Sequence, residues 1–185
     1  MKKFLLIALT LFCTAVHMEL QAQNQNGKIL IVYYSKTGNT RAVAEYIHQA
    51  VGGDIFEIKP AKTYPEDYKS TTIVAKQEQK DNARPELASN VKDIAQYDTI
   101  FLGYPIWWGT MPMFFFTFLE SHNLSGKTII PFCTYGGSGL GKSAADIKKL
   151  CPGATVKSAL GLRAAKASSS QADVIAWLKR LGMVK

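Results

Sequence analysis

Apolar runs of strand length alternate with stretches of helical periodicity along most of the chain. The runs are rich in branched and aromatic side chains, and the segments between them repeat apolar residues every three or four positions. The pattern predicts strands at residues 28–34, 54–60, 98–104, 126–135 and 154–162. It predicts helices at residues 41–51, 66–79, 87–94, 113–120 and 142–150, and a last one from residue 168 onward.

Local signals set the ends of several of these elements. Gly52 and Gly53 end the first helix, and Pro105 stops the third strand. Ser168 opens the last helix, where Gln171 three residues later completes a capping box. Buried strands that alternate with helices imply a parallel sheet covered on both faces, an α/β fold arranged as a three-layer α/β/α sandwich.

The first 22 residues are predicted to be a secretory signal peptide, with the folded domain at residues 23–185. Lysines at positions 2 and 3 precede an apolar stretch at 4–16, and a polar segment follows Ala22, the expected cleavage site. The apolar stretch is short for a membrane span. The sequence therefore predicts an exported, periplasmic protein with no stable membrane span after cleavage. An uncleaved anchor or a buried helix is the alternative.

The composition fits one globular domain, since 47% of the 185 residues are hydrophobic and 19% are charged. Residues 23–120 hold ten basic and eleven acidic side chains, whereas residues 121–185 hold ten basic and two acidic ones. Such a basic half can attract an acidic partner or an anionic surface, although ordinary solvated helix faces give the same pattern. No nucleic-acid partner is expected, because the sequence has no zinc-finger spacing, aromatic RNA-binding motif or basic helix.

Cys133 and Cys151 are the cysteines outside the predicted signal peptide. Cys133 falls near the end of a predicted strand, and Cys151 ends the following helix, which runs about 15 Å back along the sheet. This separation exceeds the reach of a disulfide, so both are predicted to be unpaired, buried thiols. His48 and His122 each stand alone, and no metal site is predicted.

Two glycine-containing loops carry candidate phosphate-binding patterns. Residues 136–143, GGSGLGKS, match the G-x-x-x-x-G-K-[ST] pattern of triphosphate-binding loops. Such a site also needs an acidic residue at the end of an apolar strand to hold Mg²⁺, and no buried strand here ends in Asp. A P-loop nucleotide-binding protein is therefore a remote alternative. Residues 35–40, SKTGNT, join the first strand to the first helix, where hydroxyls and free N–H groups suit a monophosphate.

Three loops rich in glycine, hydroxyl and aromatic side chains follow predicted strands, at residues 35–40, 104–109 and 134–139. Ligands of open parallel sheets bind at the carboxyl ends of the strands, so a single site explains all three loops. Adjacent tryptophans in the second loop are expected to cover something flat, with one lying against a ring and the other supporting the loop. Tyr135 is the candidate for the other side of that ring.

The stretch IVYYSKTGNTRAVAEYI, residues 31–47, resembles the flavodoxin signature, and the loops YPIWWG and TYGGSG are similar to the two flavin-ring loops of that family. The resemblance implies a five-stranded parallel sheet in the order 2-1-3-4-5 and FMN as the cofactor. It implies phosphate contacts from Ser35, Lys36, Thr37, Gly38, Asn39 and Thr40. It implies flavin-ring contacts from Tyr104, Pro105, Ile106, Trp107, Trp108, Gly109, Thr134, Tyr135, Gly136, Gly137, Ser138 and Gly139.

An FMN-binding electron-transfer protein is the function that the resemblance favours. An NAD(P)H-dependent quinone or flavin reductase on the same fold is the alternative, and a module that binds FMN or another phosphate ligand without redox turnover is a third hypothesis. The expected partner is a redox protein or a small quinone or nicotinamide, and an acidic protein suits the basic C-terminal half. No catalytic acid or base is assigned, because the chemistry belongs to the cofactor.

Overall fold

The computed structural model describes residues 27–185. The predicted signal peptide at residues 1–22 lies outside the described residues, so cleavage and export stay predictions. Within the described residues, no helix is long and apolar enough to cross a membrane.

Strands and helices alternate in chain order, as the hydrophobic pattern predicts, except that the last two strands follow one another directly. The strands are β1 (Ile29–Tyr33), β2 (Asp54–Glu57), β3 (Thr99–Pro105), β4 (Thr128–Tyr135), β5 (Thr155–Val156) and β6 (Leu160–Arg163). The α-helices are α1 (Asn39–Val51), α2 (Tyr68–Lys80), α3 (Phe114–Glu120), α4 (Ser143–Leu150) and α5 (Gln171–Arg180). Short 3₁₀ helices occupy Ile94–Gln96 and Ala164–Ser169.

The strands form a parallel sheet in the order β2-β1-β3-β4-β5, which confirms the predicted fold. Its fifth position is held by two short strands instead of one. Thr155 pairs with Thr128 at the start of β4, and Leu160 pairs with Phe132 farther along the same strand. The predicted strand 154–162 is therefore interrupted around Lys157, and β6 also pairs in parallel with β4.

Each face of the sheet buries its own hydrophobic cluster, because successive strand residues point to opposite sides. One cluster joins strand residues such as Leu30 and Leu102 to the phenylalanines of α3. The other joins Ile31 and Phe101 to α1 and α5. The sheet is thus covered on both faces, and its carboxyl edge is left to the loops.

The predicted helix at 87–94 is wrong. This segment holds only the 3₁₀ turn at its end, and Leu87 instead forms an antiparallel bridge with Pro60. The Ala61 N–H donates to the Glu86 carbonyl at 2.8 Å, and the Ala88 N–H donates to the Lys59 carbonyl at 2.9 Å. Pairing with the chain after β2 therefore outweighs the local helical pattern.

The predicted capping box at the last helix is also wrong. The region from Ala164 to Ser169 forms a 3₁₀ helix, and α5 begins at Gln171 with Ser170 before it. The Ser170 hydroxyl is buried and donates to the Ala167 carbonyl at 2.7 Å, so it caps no N–H of α5. Serine side chains often take such local main-chain partners in place of a cap.

Candidate functional site

A cavity of about 670 Å³ opens at the carboxyl edge of the sheet, where the three predicted loops meet. Most of the residues predicted for the site line it. From the sequence-predicted set these are Lys36, Thr37, Asn39, Thr40, Pro105, Ile106, Trp107, Trp108, Gly109, Thr134, Tyr135, Gly136, Gly137 and Ser138. The structure does not place Ser35, Gly38, Tyr104 or Gly139 on the cavity wall.

The loop before α1 forms an anion site of main-chain donors. Gly38 precedes the helix with a φ of 86°, a left-handed conformation that glycine adopts without strain. Within the described residues, the main-chain N–H groups of residues 35–41 have no protein acceptor, and the first intrahelical bond runs from Ala42 to the Gly38 carbonyl at 3.0 Å. Free N–H groups and the helix dipole together favour a negatively charged group here.

Hydroxyl groups complete this anion site. The Ser35 Oγ is buried and has no hydrogen-bond partner among the described residues. A buried hydroxyl without a partner is costly, so its position fits a bound group that supplies one. Thr40 Oγ1 lies 2.9 Å from Thr134 Oγ1, which joins the start of α1 to the end of β4 on the cavity wall.

The aromatic loop turns tightly between Trp107 and Thr110. The Trp107 N–H donates to the Thr110 carbonyl at 2.8 Å, and the Thr110 N–H donates back at 3.2 Å. Trp108 and Gly109 between them both have positive φ, 49° and 80°. This is the arrangement of a two-residue type I′ turn, in which a tryptophan at the first central position is strained.

The two tryptophans take different environments. Trp107 packs edge-on against Tyr64 and Tyr34, at centroid distances of 4.9 and 6.0 Å. Trp108 is 51% exposed at the cavity mouth, and its Nε1–H donates to the Thr72 carbonyl at 2.8 Å. The structure therefore makes Trp107 the residue that supports the loop and leaves Trp108 as the more accessible aromatic surface.

The second glycine-rich motif holds the aromatic loop in place. The Lys142 N–H donates to the Gly109 carbonyl at 2.7 Å, and a Cβ at Gly141 would come within 2.0 Å of that oxygen. The Ser143 hydroxyl donates to the Leu140 carbonyl at 2.8 Å. Two donors of this motif, the Lys142 N–H and the Ser143 hydroxyl, are thus used within the chain, which argues against the triphosphate alternative.

The loop after β4 leaves open space toward the cavity. A Cβ at Gly136 or Gly137 would meet no protein atom within 4 Å. Both glycines line the cavity beside Tyr135, so their main chain can approach a bound ring closely.

Tyr104 lies apart from this arrangement. Its side chain is fully buried in the cluster that contains α3, with its ring 5.6 Å from that of Phe115. Burial raises the pKa of Tyr104. The predicted ring contact at this position therefore belongs to the residues that follow Tyr104.

Helix α2 supplies a wall of the cavity that the sequence-based prediction omitted. The lining residues from this region are Glu66, Tyr68, Thr71, Thr72 and Ala75, and Ala164 after β6 adds one more contact. The spacing of the α2 residues, i, i+3, i+4 and i+7, puts them on one helix face. That spacing is the signal that could have identified the face, but the sequence does not show where the helix docks.

Two tyrosines that pack against Trp107 have raised pKa values. Burial, with a smaller effect from Glu57, raises the pKa of Tyr34 to about 12. Burial and a hydrogen bond to Glu78 raise the pKa of Tyr64. Within the described residues, no cluster of His, Cys, Asp or Glu could hold a metal ion.

Comparison with known proteins agrees with this geometry. A candidate flavoprotein from Bacteroides eggerthii is 38% identical, with a TM-score of 0.75 over 86% of this chain and 100% of its own. One from Bacteroides uniformis is 36% identical, with a TM-score of 0.72 over 83% and 99% of the two chains. A Lactobacillus acidophilus flavoprotein in complex with FMN is 25% identical, with a TM-score of 0.64 over 80% and 99%.

No curated protein matches the chain. The family model described as flavodoxin matches residues 28–181, which include every loop of the site. This match and the FMN in the Lactobacillus structure agree with the cofactor predicted from the sequence. The chain belongs to the flavodoxin family.

Proposed function

We propose that this protein binds FMN and transfers electrons. The observation that carries the proposal is the loop before α1, whose free N–H groups meet an aromatic-lined cavity through the lining residues Lys36, Thr37, Asn39 and Thr40. Ser35, which directly precedes them, has a buried Oγ without a partner among the described residues. A single phosphate at one end and a planar ring at the other match this layout. Family membership and the FMN complex of the Lactobacillus flavoprotein support the same cofactor.

The residues divide into two groups by what they would hold. The loop from Ser35 to Thr40 would bind the phosphate through main-chain N–H groups and hydroxyls. Trp108 and the loop from Tyr135 to Ser138 would lie against the flavin ring, and Trp107 keeps the turn in place. Bound FMN supplies the capacity to accept and donate one or two electrons. The chain itself contributes orientation and exclusion of water.

Electron transfer is favoured over acid–base chemistry by the side chains of the cavity wall. Hydroxyl, amide, aromatic and glycine residues dominate this wall, with Lys36 and Glu66 as its charged members. The Lys36 ammonium donates a hydrogen bond to the Pro65 carbonyl, so it already has a partner within the protein. A redox protein, or a small quinone or nicotinamide, would be the partner, and an acidic partner would suit the basic residues of the C-terminal half.

FMN titration of the purified protein tests the cofactor. We expect the fluorescence of FMN to be quenched on binding. The double variant Ser35→Ala, Thr40→Ala should weaken binding about 100-fold, since each lost hydrogen bond to a charged group accounts for about tenfold. The matched control is the double variant Thr155→Ala, Ser158→Ala. It also removes one threonine and one serine hydroxyl, but from exposed positions at the sheet edge. Equal FMN affinity of the parent and the site variant would contradict the proposal.

Turnover assays separate a carrier from a reductase. A carrier should exchange electrons with a reductant and a redox protein but should not oxidise NAD(P)H steadily. Steady NAD(P)H oxidation with a quinone present would favour the reductase alternative. Unchanged flavin absorbance after dithionite would exclude both redox functions and leave a binding module.

A further inference from the structure

Helix α2 is a cavity wall with little apolar anchoring. Its buried residues are Thr71 and Ala75, whereas its larger apolar side chains, Ile73 and Val74, are 61% and 36% exposed. On the other face of the sheet, α1 buries Val43, Ala44 and Ile47. Moving α2 away from the body would therefore expose little apolar surface, so local opening costs less here than at α1.

Polar contacts to the aromatic loop help to hold α2 in position, beside a hydrogen bond that Glu78 accepts at 2.7 Å from the segment before the helix. The Trp108 Nε1–H donates to the Thr72 carbonyl at 2.8 Å, and the Gln79 Nε2–H donates to the Trp107 carbonyl at 2.7 Å. On the loop, the two bonds use the consecutive residues Trp107 and Trp108. On α2, their partners Thr72 and Gln79 lie about two helix turns apart. These two hydrogen bonds are called the latch below.

The loop side of the latch is rigid. Trp108 keeps its strained positive φ because the turn is fixed by the paired Trp107–Thr110 bonds and by the Lys142 N–H on the Gly109 carbonyl. The Thr110 hydroxyl also donates to Asp146 Oδ2 at 2.6 Å. A fixed loop on one side and a weakly packed helix on the other place any opening motion in α2.

We propose that α2 is a lid over the FMN site and that the latch controls how fast FMN enters and leaves. The inference rests on the proposed FMN binding. Gln79 does not line the cavity, so its side chain makes no contact of its own with the FMN site, and we expect its hydrogen bond to hold α2 closed both with and without FMN. Removing it should raise the association and dissociation rates together and leave the dissociation constant nearly unchanged.

Stopped-flow measurement of FMN fluorescence with Gln79→Ala tests this. We expect both rate constants to rise roughly three- to tenfold, the factor for one hydrogen bond, with the dissociation constant changed less than about twofold. Gln77→Ala is the matched control, because Gln77 lies on the exposed side of the same helix and bonds only Asp81. A higher dissociation rate with an unchanged association rate would make Gln79 a simple stabiliser of the bound form and overturn the lid.

Hydrogen exchange of the FMN-free protein gives a second readout, independent of the cofactor. Peptides that cover residues 68–80 should exchange faster in Gln79→Ala than in the parent or in Gln77→Ala, while peptides from α1 should not change. Equal exchange in the two α2 variants would overturn the proposal. If the parent failed to bind FMN, the proposed function would fall, and this exchange experiment alone would still decide whether the latch closes α2.

Discussion

The Ser35 hydroxyl is buried and has no hydrogen-bond partner within residues 27–185. We therefore expect Ser35→Ala to leave the free energy of unfolding of the FMN-free protein unchanged, or to raise it by up to about 1 kcal/mol, since an unpaired buried group is removed. The FMN dissociation constant should rise about tenfold. Urea unfolding and a fluorescence titration measure the two effects.

Ser143 provides the matching control at the residue scale. Its hydroxyl is buried too, but it donates to the Leu140 carbonyl at 2.8 Å. Ser143→Ala should lower stability by about 1 kcal/mol and leave FMN affinity unchanged. If Ser35→Ala behaved like Ser143→Ala, Ser35 would have a structural role rather than a binding one.

Replacing Trp108 should raise the stability of the FMN-free protein while weakening FMN binding. A bulky residue with positive φ carries about 1–3 kcal/mol of strain, whereas asparagine is favoured at this position of a type I′ turn. Trp108→Asn also removes an exposed hydrogen bond to Thr72, which offsets about 1 kcal/mol of the gain. We expect a net gain of about 1 kcal/mol in urea unfolding of the FMN-free protein, together with weaker FMN binding.

Replacing Trp107 should lower the free energy of unfolding, because its ring packs against Tyr64 and Tyr34. Trp107→Ala is expected to cost about 3 kcal/mol. Loss of stability in both variants would show that the Trp108 turn is relaxed in the folded protein and that the strain argument is wrong.

At the scale of elements, an ion pair ties the chain after α2 to α3. Arg84 Nε and Nη2 donate to the two carboxylate oxygens of Glu120 at 2.6 and 2.8 Å. The Arg84 hydrogen bond holds the pKa of Glu120 below its usual 4.5. A lowered folded-state pKa means that the pair stabilises the protein above pH 4.5, and that this contribution disappears as the pH falls through the folded value.

Glu120→Gln should therefore reduce the free energy of unfolding at pH 7, by less than about 1 kcal/mol because the pair is partly exposed. The difference from the parent should narrow as the pH falls below 4.5. Urea unfolding across pH measures it. The matched control is Glu86→Gln, which neutralises an exposed carboxylate two residues from Arg84 that forms no ion pair within the described residues. If the free energies of unfolding of Glu120→Gln and the parent differed by the same amount at every pH, the loss of stability would come from packing and not from the ion pair.

The sequence allowed the strands and the three loops to be predicted because their signals are local. Apolar runs identify β1, β3 and β4, and glycine and hydroxyl residues mark the loops at their carboxyl ends. Features that depend on distant partners were not predicted. The segment around Leu87 follows its bridge to Pro60, and the place of α2 on the cavity depends on contacts with Trp107 and Trp108.

The broken fifth strand and the 3₁₀ helix after it show a second limit. Both β5 and β6 read as one apolar stretch, yet each pairs with a different part of β4. In the serine run that follows, hydroxyls donate to main-chain carbonyls three residues back, which favours a tight 3₁₀ turn over a helix cap. The local sequence pattern could not predict the split strand or the 3₁₀ helix, because both depend on which groups form hydrogen bonds with each other.

At the scale of the whole molecule, the proposed electron transfer should depend on the charge near the cavity. Arg163 and Lys166 are exposed and flank Ala164, which lines the cavity. Basic groups beside the site would speed association with an acidic protein and slow association with a basic one. At 0.1 M salt, interactions between charges more than about 10 Å apart would be largely screened.

Electron transfer to an acidic redox protein should therefore slow about tenfold between low and high ionic strength, while transfer to a small neutral acceptor should stay constant. Arg163→Glu, Lys166→Glu should reverse the salt dependence. Lys148→Glu, Lys149→Glu makes the same change in net charge on exposed residues of the last turn of α4. Equal effects of the two pairs would mean that net charge, and not the basic residues beside the cavity, governs partner choice.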